Sequence, residues 1–412
     1  MKEETIQGKI QKLNGKREYS VDEDTFVCDN LYQLLNIESL NGKKKILVRH
    51  TLNKDLSFPF SYLRESLVEA ESIHFLEEGG IFSSEDGKMI FCVSENGYLI
   101  LLFYLGGNGH VDIPDGVNII GHHAFCSTRI RSVSLPESVV SIRNNAFDSC
   151  VELESVVLPE SLQEIQKFAF FRCRSLKSIE TKGNCKKIGW SAFESCKNLQ
   201  SVVLHEGIEE IETEAFQNCQ NLKYITLPMS LEKLGSASLS EVQTVRVSKL
   251  IPSLALAVDR SMFYGASDQF CCIEYKGCRI LLPRAMDGKG IEKAQRKLRA
   301  IKDNDSNIYY LYSLAPNEEM EAKTALAMFC SFPERKTGLF VRRHLDELKD
   351  SIAEEESGML KILKAFKDLR LLSAEVLKKS LDITSEKEWA CAKSFVLQEL
   401  SDAPRKKNSL SL

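Results

Sequence analysis

Apolar positions recur through the middle of this chain with a period of 23 residues. Written in register, residues 130–152 read IRSVSLPESVVSIRNNAFDSCVE and residues 153–175 read LESVVLPESLQEIQKFAFFRCRS. Residues 176–198 follow as LKSIETKGNCKKIGWSAFESCKN, and 199–221 as LQSVVLHEGIEEIETEAFQNCQN. A shortened first copy starts at His110 and a decayed last copy at Leu222. One column is Val133, Val156, Ile179, Val202 and Ile225; a second is Ile120, Ile142, Ile165, Ile188, Ile211 and Leu234; a third is Phe125, Phe147, Phe170, Phe193 and Phe216, each preceded by alanine. A fixed period of this length is the mark of a stacked array.

Each copy reads as two short strands and a turn. In L-x-x-V-x-L the apolar residues alternate, so they share one face of a strand. Pro114, Pro136, Pro159 and Pro228 close four of these strands, because proline lacks the N–H that a ladder needs. A second short strand, such as 162–165, brings the next isoleucine inward. The Ala-Phe pair then turns the chain, with alanine small enough for a tight coil and phenylalanine filling the space between coils. No single copy can bury these groups, whereas stacking makes the core continuous. Phe170 lies mid-array, so its truncation is expected to cost more than that of Phe125 at the array's end.

The columns L-x-x-I-x-L-P and I-x-x-x-A-F-x-x-C resemble the BspA-type leucine-rich repeat family of bacteria. The upstream stretches GIFSSEDGK (80–88) and DIPDGV (112–117) are similar to that family's lead-in. The resemblance covers about 80–245 and implies a leucine-rich-repeat β-solenoid. Many members are exported adhesins, but MKEETIQGKIQKLNGKREYS has no apolar core of a secretory signal.

Around the array the pattern changes. Residues 1–78 mix strand-like pieces (45–48) with a helical stretch (62–71) and read as an N-terminal cap. YLILLFYL (98–105) follows the turn signal Glu95-Asn96-Gly97 and reads as a buried strand; at eight residues it is far short of a membrane span. Residues 246–289 read as decayed repeat and transition strands, with a turn at Lys276-Gly277. From 290 to 404 the period becomes helical, with helices expected at 291–302, 306–314, 318–330, 339–355, 359–369, 374–381 and 386–400. Ser385 with Glu388 reads as a capping box for the last of these, in which Trp389, Ala392, Val396 and Leu400 share a face. Residues 369–400 are similar to a degenerate ankyrin-like helix pair. The tail, 405–412, reads as disordered. The fold class is therefore α+β: a 23-residue-repeat solenoid with a mixed cap and an all-α C-terminal domain.

The chain has 412 residues, 43% hydrophobic and 27% charged, with net charge −4. That composition supports several cores and excludes a generally basic nucleic-acid binder. Thirteen cysteines without an export signal read as reduced thiols in a cytoplasmic protein. Cys150, Cys173, Cys196 and Cys219 recur every 23 residues. Stacking would set them in a row about 4.8 Å apart, and a row is not the tetrahedron that zinc takes. They read as buried small residues at a turn. Cys271, Cys272, Cys278 and Cys330 match no metal-ligand spacing. His122-His123 reads as a pair of solvated loop histidines, and Gly106-Gly107-Asn108-Gly109 and Gly288-Lys289 lack the spacing of phosphate loops. Lys43-Lys44-Lys45 and Arg342-Arg343-His344 read as solvated faces.

No catalytic, cofactor or metal residues emerge. The remaining candidate is the outward side of the first strand column: Ser132, Ser155, Ser178, Ser201 and Tyr224, flanked by Ser134, Val157, Glu180, Val203 and Thr226. Solenoids use one extended face for partners. The sequence thus points to a non-catalytic module for an unknown protein partner, acting through the repeat face, the helical domain or both, with no nucleic acid, membrane or cofactor. A cell-surface adhesin and an enzyme seated in the helices are the alternatives.

Overall fold

The computed structural model describes residues 21–402 apart from 35–39, 41, 51–66, 68–69, 77–79, 261–269, 302–307 and 353–355. The helix expected at 62–71 and the tail at 405–412 fall largely or wholly outside these residues. The chain divides into two compact units between Val258 and Asp259.

The first unit is a coil stack. It opens with β1 (Thr25–Cys28), β2 (Lys45–Val48) and β3 (Ser72–Phe75), which pair in parallel in chain order. These strands make a three-stranded parallel sheet of their own. Then come β4 (Ile81–Ser83), β5 (Met89–Val93) and β6 (Leu99–Tyr104), an antiparallel meander. Every residue of β6 is buried, as its apolar run requires. Gly97, at φ 76°, donates to the Ser94 carbonyl and turns β5 into β6. Ile73, Ile90, Ile100 and Phe103 share one core with Ile46 and Leu31.

Two strand ladders run along the repeats. The first comprises β7 (Gly109–Asp112), β9 (Ile130–Ser134), β11 (Ser155–Val157), β13 (Ser178–Glu180), β15 (Ser201–Val203), β17 (Tyr224–Leu227) and β19 (Thr244–Val247). The second comprises β8 (Val117–Ile120), β10 (Ser141–Ile142), β12 (Glu164–Ile165), β14 (Lys187–Ile188), β16 (Glu210–Ile211) and β18 (Lys233–Leu234), and it continues from β6. Both run parallel with like residues in register, such as Val133 opposite Val156 and Ile165 opposite Ile188; the second is paired throughout, whereas the first pairs in the groups β7-β9-β11, β13-β15 and β17-β19.

The Ala-Phe turns form a third column. His123, Asn145, Phe168, Ser191, Glu214 and Ala237 have φ between 50° and 59°, and Ser127, Ser149, Arg172, Ser195 and Asn218 repeat that geometry four residues later, at 58° to 62°. Left-handed residues let alternate N–H groups point at the next coil: Phe125 donates to Ala146, Phe147 to Ala169, Phe170 to Ala192 and Phe193 to Ala215. The phenylalanines are fully buried and stack at 4.9 to 5.3 Å with planes 2° to 11° apart. Tyr104 continues the stack below Phe125 at 5.0 Å, so Phe125 does not sit at a frayed end. At the far end α2 (Leu254–Ala257), numbered after the short α1 (Leu31–Leu34), takes the place of a further turn. Its Leu256 and Ala257 carbonyls accept from Ala237 and Leu239.

In the second unit β20 (Phe270–Tyr275) and β21 (Cys278–Pro283) form a hairpin, turned by Lys276 and Gly277 at φ 43° and 83°. Among the described residues the helices α3 (Gly288–Ala300), α4 (Glu318–Ser331), α5 (Arg335–Arg343), α6 (Leu345–Ile352), α7 (Glu356–Asp368), α8 (Ala374–Glu386) and α9 (Ala390–Asp402) follow. Three expectations need correction. In the stretch expected as a helix at 306–314, whose first two residues lie outside the described ones, β22 (Ile308–Tyr310) pairs with β21, and only 312–314 make a 3-10 turn. The β-branched and aromatic run Ile-Tyr-Tyr suits a strand better than a helix. The helix expected at 339–355 starts earlier and breaks at His344. The capping box at Ser385 is absent, because α8 runs through that residue and Glu388 sits at φ 58°. The first turn of α9 is instead capped by Glu356 of α7, whose Oε1 accepts from Cys391 N (2.6 Å) and Ala392 N (2.9 Å). The face of Trp389, Ala392, Val396 and Leu400 does pack into the helical core, with Phe329, Leu345 and Phe366.

Candidate functional site

The first ladder presents one side chain in two to solvent. Ser155, Ser178, Ser201 and Tyr224 are exposed in a row, with Val157, Glu180, Val203 and Thr226 beside them. Ser132 and Ser134 are only half-exposed, because His110 bonds to both hydroxyls at 2.7 and 3.2 Å and to Asp112 at 2.9 Å. Val157 is 63% exposed, Val203 44% and Tyr224 40%. Between the two valines, Glu180 is held by His205 (3.0 Å) and Lys182 (3.2 Å), and these hydrogen bonds keep its carboxyl below the usual range. Arg246 stands 5.3 Å over the Tyr224 ring. The result is a flat strip of small hydroxyls interrupted by three large apolar groups.

The second ladder is different. Its outward residues alternate in charge from coil to coil, Glu164, Lys187, Glu210 and Lys233, and bond among themselves. Lys187 reaches Glu210 (3.4 Å) and Glu212 (2.5 Å), and Glu164 accepts from Ser141 (2.8 Å) and Gln166 (2.7 Å). These groups satisfy one another, whereas the apolar groups of the first ladder face water.

The remaining candidates resolve into structural roles. Cys150, Cys173, Cys196 and Cys219 are fully buried. Their thiols donate to the carbonyls of Phe125, Phe147, Phe170 and Phe193 at 2.9 to 3.2 Å. They are small buried residues, as the sequence implies, and they also form a second ladder of bonds, in which sulfur adds a donor to a carbonyl that already accepts a backbone N–H from its own turn, as Phe170 does from Cys173. Burial pushes the Cys173, Cys196 and Cys219 thiols well up. All thirteen cysteines carry free thiols. Cys271, Cys272 and Cys278 are buried in the hairpin, while Cys330 is exposed. Among the described residues no group of histidines, cysteines and carboxylates is placed to hold a metal.

His122 is exposed and His123 half-exposed, and partial burial lowers both imidazoles below their ordinary range. The glycines of Gly106-Gly107-Asn108-Gly109 take positive φ in a loop before β7. At Gly288-Lys289 the start of α3 is filled by the Asp287 carboxylate, which accepts from Gly290 N at 2.6 Å. Lys44 and Lys45 pair with Glu71 (2.9 Å) and Asp22 (2.6 Å), and Lys43 donates to the Glu23 carbonyl. Arg342 and Arg343 lie in the last turn of α5, and His344 stacks on Phe340 at 4.4 Å.

One cluster went unread in the sequence. Phe168, Phe171 and Trp190 meet on the turn side of the third and fourth copies, at 5.4 and 5.2 Å. The signal was there, since Trp190 stands in a column otherwise filled by His122, Asn144, Lys167, Thr213 and Ser236.

Residues 118–246 match the model of the BspA type leucine rich repeat region in six copies. No curated protein matches the chain. Among solved structures, a leucine-rich-repeat protein from T. pallidum is 28% identical over 40% of this chain and 71% of its own, with a TM-score of 0.31. A leucine-rich-repeat protein from Bacteroides capillosus ATCC 29799 is 30% identical over 31% of this chain and 99% of its own, with a TM-score of 0.29. A leucine-rich cell-surface protein from Faecalibacterium prausnitzii A2-165 is 21% identical over 51% of this chain and 64% of its own, with a TM-score of 0.34.

Proposed function

Since the chain belongs to the BspA-type leucine-rich-repeat family, we propose that it is a non-catalytic scaffold whose first strand ladder docks a protein partner. The observation that carries this reading is the exposure of Val157, Val203 and Tyr224 on a face otherwise made of small serines. Large apolar groups held on a rigid sheet lose little freedom on binding and gain from leaving water. Neighbouring coils are about 4.8 Å apart, so the row forms a repeating comb against which a flat surface or an extended segment fits. Glu180, pinned between the valines, sets the register of the partner through its charge.

We place the scaffold in the cytoplasm. Thirteen free thiols suit a reducing compartment, and no helix among the described residues is long and apolar enough to cross a membrane. An adhesin would be cleaved by protease added to intact cells. An enzyme would need convergent titratable groups in a cleft, and a variant of such groups would lose turnover of a substrate rather than capture of a protein.

The test is capture of a partner by the full chain, compared with a Val157→Asp, Val203→Asp, Tyr224→Ala variant. The variant is expected to keep the circular dichroism of the parent and to lose a captured protein that is retained by Lys186→Glu, a change at the exposed residue just before β14 that pairs with Glu209. Equal capture by the two variants would reject the strand face as the docking surface.

A further inference from the structure

The turn side of the fourth copy carries a second, separate site. Trp190 is 43% exposed in a column of otherwise polar residues. One face of its indole is backed by Phe168 of the preceding coil, with ring centroids 5.2 Å apart. Phe168 takes φ 56°, a conformation that bulky side chains seldom adopt and that the equivalent Asn145 takes with less strain. Phe171 braces Phe168 edge-on at 5.4 Å, and the Arg172 guanidinium covers Phe171 at 4.6 Å. The indole is fixed at both ends: its Nε1–H donates to Glu214 at 2.8 Å and its backbone N–H to Glu212 at 2.7 Å.

On the side of the following coils lies an open cleft of about 510 Å³, lined by Trp190, Glu210, Glu212, Thr213, Lys233 and Gly235. Gly235 has no side chain, and a Cβ there would lie 2.2 Å from Thr213 N. The charged groups of the lining are already paired. Glu210 and Glu212 are matched by Lys187 (3.4 and 2.5 Å) and Lys233 (4.0 Å from Glu210). A charged ligand would have to break these pairs, whereas hydroxyl groups could share the donors and acceptors that the pairs leave open.

We propose that this cleft binds a neutral carbohydrate, with a pyranose ring lying on Trp190 and its hydroxyls bridging Glu210 and Lys233. The apolar C–H face of such a ring complements the negative face of the indole. A few placed polar groups around an aromatic wall then fix its orientation. This site is independent of the strand face.

The experiment uses the full chain carrying Trp389→Phe, which leaves Trp190 as the sole tryptophan. Chitotetraose, maltotetraose, cellotetraose and mannotetraose are titrated while indole emission is followed, with tetralysine and tetraglutamate as charged competitors for the same cleft. At least one saccharide should give a saturable shift, and neither peptide should. Thr213→Phe, which fills the cleft while leaving the indole in place, should weaken binding by about tenfold. Lys233→Met should weaken it several-fold, and calorimetry on Trp190→Ala should show no binding. The absence of a saturable response to all four saccharides, a response to either peptide, or undiminished affinity in Thr213→Phe and Lys233→Met would overturn the proposal.

Discussion

Phe170 is the sharpest probe of what holds the solenoid together. Its ring is fully buried between Phe147 at 4.9 Å and Phe193 at 5.1 Å, with planes 2° and 3° from parallel. Truncating a buried phenylalanine to alanine costs about 3–5 kcal/mol through lost transfer energy and the cavity left behind. Each aromatic pair adds about 0.5–1.5 kcal/mol beyond burial. Two pairs vanish here, which puts Phe170→Ala near the upper end, at about 5 kcal/mol. Phe170→Leu separates the contributions. Leucine already stands in this column at Leu239, so it keeps most of the apolar volume and should lose mainly the two stacks, about 1–3 kcal/mol. Urea denaturation of the single variants, followed by far-ultraviolet dichroism, gives both values. A double-mutant cycle of Phe170→Leu with Phe147→Leu should show a coupling of about 0.5–1.5 kcal/mol. The cycle with Phe216→Leu, two coils away, should be additive within about 0.5 kcal/mol. Because Tyr104 supports Phe125 from below, Phe125→Ala should cost nearly as much as Phe170→Ala. A loss below about 2 kcal/mol for Phe170→Ala, or equal coupling in both cycles, would refute the stacked column as the source of stability.

Four further outcomes are expected. Cys196→Ala should cost about 1 kcal/mol by removing one of the two donors to the Phe170 carbonyl, which keeps the Cys173 N–H, and Cys196→Ser, which can donate to the same oxygen, should cost less in the same denaturation assay. Native-state alkylation with mass mapping should label Cys330 and Cys391 and spare Cys150, Cys173, Cys196 and Cys219 until denaturant is added; early labelling of the ladder would contradict its burial. Burial holds the His122 and His123 imidazoles below their ordinary value, so the unfolded chain takes up protons more readily than the folded one. Their contribution is therefore present above the unfolded value of about 6.5 and lost as pH falls through the lower folded values. A His122→Asn, His123→Asn variant should flatten that part of the stability profile. Finally, Glu356→Ala should lower the melting temperature through loss of the α9 cap, worth about 1 kcal/mol, while Glu356→Gln should retain part of it; identical melting of parent and Glu356→Ala would show that the cap is idle.

The array was legible because its information is repeated. Val133 alone says little, but five equivalents in register fix a strand face, and the Ala-Phe column fixes a turn. The thiol donors of Cys150 to Cys219 were not legible, because a buried cysteine reads the same whether its hydrogen is used or idle; only the Phe carbonyl behind it decides. The cap at Cys391 and Ala392 escaped for a related reason. Local spacing nominated Ser385, and a carboxylate on another helix, Glu356, took the role. Residues 308–310 failed because helical periodicity on both sides masked a short β-prone run that only its pairing with β21 reveals. For the candidate face, alternation showed which side chains point outward, but not that His110 would occupy Ser132 and Ser134 and leave the exposed strip to begin at Ser155. Trp190 was visible as an exception to its column, yet a lone exception carries no meaning until Phe168 and the gap above Gly235 give it a setting.

The turn column also has an electrical consequence. In each coil the N–H groups of the left-handed residue, the phenylalanine and the second left-handed residue point one way, as Asn145, Phe147 and Ser149 do toward Lys167, Ala169 and Phe171, and the accepting carbonyls point back. Aligned peptide dipoles add, as they do along a helix axis. The solenoid therefore carries a lengthwise polarity on this one edge, negative toward its N-terminal coils and positive toward its C-terminal ones. The last positive groups, the N–H of Ala237 and of Leu239, meet the carbonyls at the end of α2, the negative pole of a helix and the place where orphan acceptors collect. Four residues, Leu-Ala-Leu-Ala, thus act as a counter-electrode that ends the array without a charged side chain, and any lengthening of the stack by whole repeats would have to keep that terminus in place.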